Sequence, residues 1–189
     1  VRSGIIGEIG CVYPIPPNVL KCVRAAGRAQ AKTGAPILIH PGHRQTAPAE
    51  ILAILVKAGA TPGNVVLGHL DARIVDKAVL AELAEAGTFL EFDTFGLEEG
   101  AYGGDSTAIP MPNDVRRLDL LEFLLGLGHR DQIVIAHDVC FRWRLGRFGG
   151  KGYGHILSTI VPRMRARGFN SEDIDAILIT NPARALAFA

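Results

Sequence analysis

Glu8, His40, His69, Asp93 and Asp138 share a position in the sequence: each stands at or near the end of a short apolar run. The runs are Gly4 to Gly10, Pro36 to His40, Asn64 to His69, Thr88 to Asp93 and Gln132 to Asp138, rich in β-branched residues and read as strands. In parallel α/β folds the active site is built at the carboxyl edge of the sheet. An ionisable side chain at a buried strand end is costly unless it is paired or metal-bound. Two imidazoles offer neutral nitrogen donors, and the carboxylates offer oxygens that can bridge two ions. That set suits a hard-to-borderline divalent metal such as zinc, manganese or iron. Each residue also has a plainer reading. Glu8 pairs with an Arg or His of a neighbouring strand, and His40 before Pro41-Gly42 is simply a strand-end residue. Asp71 is a helix N-cap behind His69, and Asp138 holds the tautomer of His137. The recurrence of a polar residue at the same place in consecutive runs favours the metal.

The elements that must position these residues alternate. Helix-like stretches cover about Asn18 to Thr33, Ala47 to Ala58, Ile74 to Ala86, Asp114 to Gly126, Ile156 to Arg167 and Ser171 to Ile179, and Asn181-Pro182 opens a last turn. Gly59 and Gly87 stop two of them. Apolar strands alternating with helices imply a parallel sheet covered by helices, as in doubly wound sheets and (β/α)8 barrels. Five units of roughly 38 residues scale to about 300 for eight, within the range of a barrel. Five alone cannot close one and leave open sheet edges. The start, Val1-Arg2-Ser3-Gly4, has no Met and leads at once into Ile5-Ile6, so a strand buried from the outset, and a chain that is part of something longer, are expected. Two irregular stretches, 96–113 and 140–155, are expected to cover the rim with Tyr102, Arg142, Trp143, Lys151, Tyr153 and His155. Arg142, Lys151 and Tyr153 are the substrate-binding candidates, the two cations for a carboxylate or sulfonate; the alternative is that they are solvated loop residues.

Composition narrows the class. The chain has 189 residues, 48% hydrophobic and 21% charged, which is ordinary globular usage and excludes a disordered tail. Twenty Lys and Arg nearly cancel nineteen Asp and Glu, leaving +1 and no global field for nucleic acid or an anionic membrane. No apolar run reaches the length of a membrane helix, and no signal-peptide pattern opens the chain. Cys11, Cys22 and Cys140 form neither CxxC nor zinc-ribbon spacing, so a reduced, cytoplasmic setting is expected. The glycine-rich segments Gly4 to Gly10 and Gly146 to Gly154 are not dinucleotide fingerprints, and Gly152 follows Gly150-Lys151 where a P-loop needs Ser or Thr.

The strings Gly4-Ile-Ile-Gly-Glu-Ile-Gly-Cys11, Ile39-His-Pro-Gly42, Gly68-His-Leu-Asp71 and Ala136-His-Asp138 together resemble the phosphotriesterase-related branch of the amidohydrolase superfamily. Gly149-Gly-Lys-Gly-Tyr-Gly-His-Ile-Leu157 and Ile179-Thr-Asn-Pro182 resemble it too, so the likeness runs over essentially the whole chain. It implies a single domain over 1–189, an incomplete (β/α)8 metal-dependent hydrolase barrel holding the fourth to eighth strands. It implies two divalent metal ions, zinc first and manganese or iron as alternatives. Glu8 then takes the place of the bridging ligand, which is a carboxylated lysine in the phosphotriesterases proper. His40 and His69 hold the more exposed metal, and Asp138 holds the more buried one and handles the proton of the bridging hydroxide. His137 would orient Asp138, and Asp71 would either support His69 or cap the helix, the cap being favoured. The family's first strand carries a His-x-His pair for the buried metal. None of His40, His43, His69, His129, His137 and His155 forms such a pair, so that metal is expected to be weakly held.

The implied activity is attack of a metal-bridging hydroxide on a carbonyl or phosphoryl centre, with a small amide or lactone favoured over a phosphotriester. A non-catalytic barrel fragment that acts as a scaffold is the rival. A small-molecule substrate is the expected partner, with neither nucleic acid nor membrane, and an uncovered sheet edge would favour association such as a homodimer. Asp93, and Glu91 two residues before it, point into the barrel in this reading without being ligands.

Overall fold

The computed structural model describes residues 3–98, 101–102 and 109–188. Its strands are β1 (Ile6–Gly10), β2 (Ile37–His40), β3 (Val65–Leu67), β4 (Phe89–Phe92), β5 (Ala101–Tyr102), β6 (Ile109–Pro110) and β7 (Ile133–Ile135). Its α-helices are α1 (Pro17–Thr33), α2 (Ala47–Lys57), α3 (Leu70–Arg73), α4 (Lys77–Glu85), α5 (Asp114–Gly126), α6 (Val161–Ala166), α7 (Ser171–Asp175) and α8 (Asn181–Ala185). Five strands form one parallel sheet in the order β1-β2-β3-β4-β7. Neighbours in sequence are neighbours in space with helices between them, which is the pattern of consecutive units of a (β/α)8 barrel. The short β5–β6 hairpin lies within the stretch 96–113 expected to be loop.

The register separates two faces. Ile37 pairs with Val65, Ile39 with Leu67, Leu67 with Leu90 and Leu90 with Ile133. All of these are fully buried, and they pack with Val23, Ile51, Leu55, Leu80, Leu121, Leu124 and Ile160 into the main core against the helices. The alternate residues, Leu38, Val66, Phe89 and Val134, form a smaller cluster on the other face, where Ala185 of α8 joins them. Glu91 shares that face, paired with Val134. α1 enters through Pro16-Pro17 and ends at Gly34 with φ 70, the usual glycine stop. Its Gly27 presses against α2, where a Cβ would stand 2.8 Å from the Leu55 carbonyl.

Three sequence expectations change. The strand at the start is not buried: Ile6 and Ile9 are half-buried and Gly7, Glu8 and Gly10 exposed, because β1 has β2 as its one strand neighbour among the described residues. The helix expected from Ile74 starts only at Lys77, as α4, and a separate short helix, α3, precedes it and ends at Ile74 with φ −113 and ψ 116. Gln45 Oε1 accepts the Val75 and Asp76 N–H groups at 2.9 Å, and Asp76 then caps α4 by accepting from Ala78. The later helices contain wide, π-type turns at Ile156–Ile160 and Ala176–Thr180, each followed closely by a proline, Pro162 or Pro182. Proline cannot donate to the carbonyl one turn back, and a locally wide turn accommodates its ring.

A buried polar knot ties α3, the end of β4 and α5 together. Arg117 donates to Asp71 Oδ2 at 2.7 Å, to Asp114 Oδ1 at 2.8 Å, to Thr94 Oγ1 and to the Leu97 carbonyl. Asp71 also accepts from the Thr94 hydroxyl and N–H. Asp71 is therefore not the N-cap favoured from the sequence. It lies inside α3, its side chain fully buried, and its charge answers a guanidinium 46 residues away. Burial works to raise the Asp114 carboxyl, but the Gly96 N–H, His155 and Arg117 outweigh it and hold it below the ordinary carboxylate value. Replacing Arg117 by Ala leaves two buried carboxylates without their cation. We expect it to cost about 3–5 kcal/mol in denaturant unfolding, whereas Arg116→Ala on the same helix costs far less.

Candidate metal centre

Glu8, His40 and His69 come from three adjacent strands or their ends, and their donor atoms lie within 4.8 Å of one another. Glu8 Oε1 is 3.1 Å from His40 Nδ1 and 2.9 Å from His69 Nε2, and the two ring nitrogens are 2.8 Å apart. Glu8 reaches this point because Gly7 precedes it. Gly7 has φ 114, and a Cβ there would collide with the Leu38 carbonyl of β2. His40 closes β2 opposite Gly10. Arg73, itself buried, donates to the Pro41 carbonyl behind it and brings its guanidinium to 3.5 Å from His40 Nε2.

His69 is held most firmly. Its backbone is left-handed, with φ 56 and ψ 25, and Asp138 has φ 45; these are the two non-glycine residues with positive φ among those described. Such conformations cost free energy and persist where surroundings impose them. At His69 the cause is Asp93. Its Oδ2 accepts the His69 N–H at 3.0 Å and its Oδ1 accepts the ring Nδ1–H at 2.8 Å. One carboxylate thus fixes backbone and ring plane, and turns Nε2 toward Glu8 and His40. Gly68 makes room for it, since a Cβ there would sit 3.1 Å from Glu91 Oε2 and 3.4 Å from Asp93 Oδ2. Burial, then the neighbouring Asp93 charge, push Glu91 well above the usual carboxylate range.

The donor set fits a divalent cation. A carboxylate oxygen and two imidazole nitrogens converge at short range, with the outer side of each histidine occupied by another group. Burial pulls the His69 imidazolium down, but the Asp93 hydrogen bond and charge, with Asp138 adding to them, raise its pKa to about 9. Burial, then His69, lower that of His40.

Asp138 lies outside this three-residue group, near enough that His69, Asp93 and Glu8 all act on its titration. Burial first, then Asp93, raise its pKa. The group that orients it is Arg144. That guanidinium donates to the Asp138 carbonyl, to Asp138 Oδ2 at 3.3 Å and to the His137 carbonyl at 2.6 Å. His137, expected to orient Asp138, uses its ring elsewhere, with Nε2 accepting the Ile156 N–H at 3.0 Å. His155 is not a rim residue either: it is buried, and its Nε2 sits 2.6 Å from Asp114 Oδ2. Arg142 lies over the Phe148 ring at 4.1 Å, while Lys151 and Tyr153 are exposed. The Tyr102 side chain lies outside the described residues. The roles of Asp93 and Arg144 were not foreseen. Asp93 had a signal, being two residues after Glu91 beside the His69 strand; Arg144 had none, as an arginine in a glycine-rich loop.

Because a metal must displace the His69 proton, its affinity should rise about tenfold per pH unit from neutrality up to about pH 9 and level off above. Asp93→Asn should weaken zinc binding about 10–100-fold and flatten that rise. Zinc titration against a competing chelator over this pH range checks both.

Comparison with known proteins follows the same lines. The Phosphotriesterase family model matches residues 1–186. The chain is 45% identical over 188 residues to an N-acetyltaurine hydrolase of Salmo salar and 45% identical to a phosphotriesterase-related protein of Nematostella vectensis, covering all of this chain and 54% and 53% of theirs. It therefore spans about half the length of the curated relatives it matches. Among solved structures, a resiniferatoxin-binding protein of Rhodobacter sphaeroides superposes with a TM-score of 0.90 at 31% identity, over 98% of this chain and 51% of that one. The phosphotriesterase homology protein of Escherichia coli, solved with phosphate in its active site, gives 0.85 at 30% identity, over 99% and 60%. By sequence along nearly its whole length, and by fold, the chain belongs to the phosphotriesterase family.

Proposed function

We propose that the protein is a metal-dependent hydrolase acting on a carbonyl carbon, and that its substrate is a small N-acyl amide, with N-acetyltaurine the first to try. The observation that carries this reading is the convergence of Glu8, His40 and His69 at the carboxyl edge of the sheet, with His69 locked by Asp93. Glu8, His40 and His69 would hold one cation, and Glu8 with Asp138 would contribute to a second. Divalent ions bound there, zinc or else manganese or iron, supply Lewis acidity and make a water nucleophilic at neutral pH.

The chain's own residues do the rest. Asp138, its pKa raised, accepts the proton of the attacking water and returns it to the departing nitrogen. Arg144 holds Oδ2, so the proton goes to Oδ1. Arg144 also bonds two successive backbone carbonyls, which keeps Asp138 in its left-handed conformation and facing the edge of the sheet. Asp93 keeps His69 from turning, so the metal-facing nitrogen does not reorganise during the reaction. The identity to an N-acetyltaurine hydrolase supports the amide, and lactones follow as carbonyl substrates of the same geometry.

Elemental analysis and an amide-hydrolysis assay test the reading together. The protein should bind divalent metal and release the amine from N-acetyltaurine. Glu8→Ala should lose metal and lower kcat/KM by at least about a hundredfold. A Glu8→Ala protein that keeps both metal and rate would overturn the assignment. Asp138→Asn should keep the cation held by Glu8, His40 and His69 while kcat falls about 100-fold or more, the mark of a lost proton acceptor.

A further inference from the structure

Charge is unevenly distributed along the chain. Between Asp138 and Glu172 there is no acidic residue, but there are seven basic ones: Arg142, Arg144, Arg147, Lys151, Arg163, Arg165 and Arg167. The whole chain carries only +1, so the remainder is net negative. Arg144 is engaged by Asp138, and Arg167 by Asp119 and Glu122. Arg142, Arg147 and Lys151 sit on the loop that rises beside Asp138. The same loop exposes aromatic rings: Phe141 and Trp143 stack with centroids 5.8 Å apart, and Arg142 lies over Phe148.

Two neighbouring hollows run along this loop. A small one of about 30 Å³ lies against His137 and Val139, which flank Asp138 in sequence, and against Arg144, its guanidinium partner. It shares walls at Gly96, Trp143, Gly150 and Lys151 with a cavity of about 380 Å³ that Leu97 and Phe148 also line. Lys151 is pinned there by its stem. Gly96, at φ 83, has no Cβ, and one built on it would stand 2.9 Å from Lys151 Cβ and 3.0 Å from Cγ. Glu98 is the acid in this wall among the described residues. It is turned away to the start of α5, where Oε1 accepts the Asp114 N–H at 3.0 Å.

We propose that this cavity binds the anionic end of an organic substrate, a sulfonate or carboxylate on a short chain. Lys151 is its charge partner, Trp143 and Phe148 are its apolar walls, and the narrow hollow leads the rest of the molecule to Asp138. This deepens the hydrolase reading and rests on it for the reaction, but the binding itself is separately measurable. Arg142 and Arg147 are the outer charges, positioned to draw an anion to the mouth.

Trp143 is the chain's one tryptophan, so its fluorescence reports directly on the cavity. Chelator-treated protein is titrated with ethanesulfonate, with propionate and with uncharged ethyl methyl sulfone, which separates the two anion types from mere apolar filling. Both anions should change Trp143 emission saturably, and the sulfone should bind at least about fivefold more weakly, the scale of one partly exposed charge pair. The preference should shrink as salt rises from about 0.05 to 0.5 M. It should vanish in Lys151→Met, which keeps the stem on Gly96, while sulfone affinity stays within about twofold. Equal binding of sulfone and anions, an anion preference that survives Lys151→Met, or no saturable binding by fluorescence and calorimetry each overturns the proposal. Anion binding in a protein that hydrolyses neither amide nor lactone would leave the cavity assigned and the hydrolase reading refuted.

Discussion

The bidentate grip of Asp93 on His69 is the interaction on which the site depends. A left-handed histidine at the end of a buried strand is an unfavourable conformation, and its ring has two tautomers and two faces. A single carboxylate, accepting from the backbone N–H and from ring Nδ1 together, resolves all three choices. The rest of the local structure serves that contact. Gly68 clears the approach, and the parallel register of β3 and β4 brings the two strand ends level. The geometry of Glu8 and His40 has meaning only relative to a nitrogen fixed in this way.

A second buried network stands beside the first without joining it. Arg117 gathers Asp71, Thr94 and Asp114, and Asp114 in turn holds His155 and the Gly96 N–H. Asp71 is two residues from His69, and Thr94 is one residue from Asp93. The helix and strand that carry the histidine and its clamp are therefore cross-linked on their far side. In a low-dielectric interior such a network favours one arrangement over its neighbours, because any partial version leaves a charge uncompensated. Through His155 it also anchors the start of the helical segment that follows the cationic loop, so the walls beside Asp138 and the support behind His69 share one foundation.

Much of this was legible in the sequence. Continuous β-branched runs named the five strands of the sheet, and the residue types at their ends singled out Glu8, His40, His69 and Asp138. What stayed hidden were long-range pairings. Asp71 looks like a helix cap because caps are local and its true partner is 46 residues away. Arg144 looks like a solvated loop residue because nothing near it in sequence says that two carbonyls and a carboxylate will surround it. His137 reads as the residue that orients Asp138 and His155 as a rim residue, but their rings bond the Ile156 N–H and Asp114. The later start of α4 was missed because it depends on the side chain of Gln45, an element earlier, which holds Val75 and Asp76 outside the helix. Periodicity reports which face of an element is buried; it does not report which distant polar group meets another there.

The spacing of the three donors has a consequence for the sheet itself. Glu8 lies in β1, His40 closes β2, and His69 follows β3 directly, so three successive parallel strands each bring one donor to the same point. A cation bound by all three would tie those strand ends together, and so would act as a fastener for the carboxyl edge as much as a reagent.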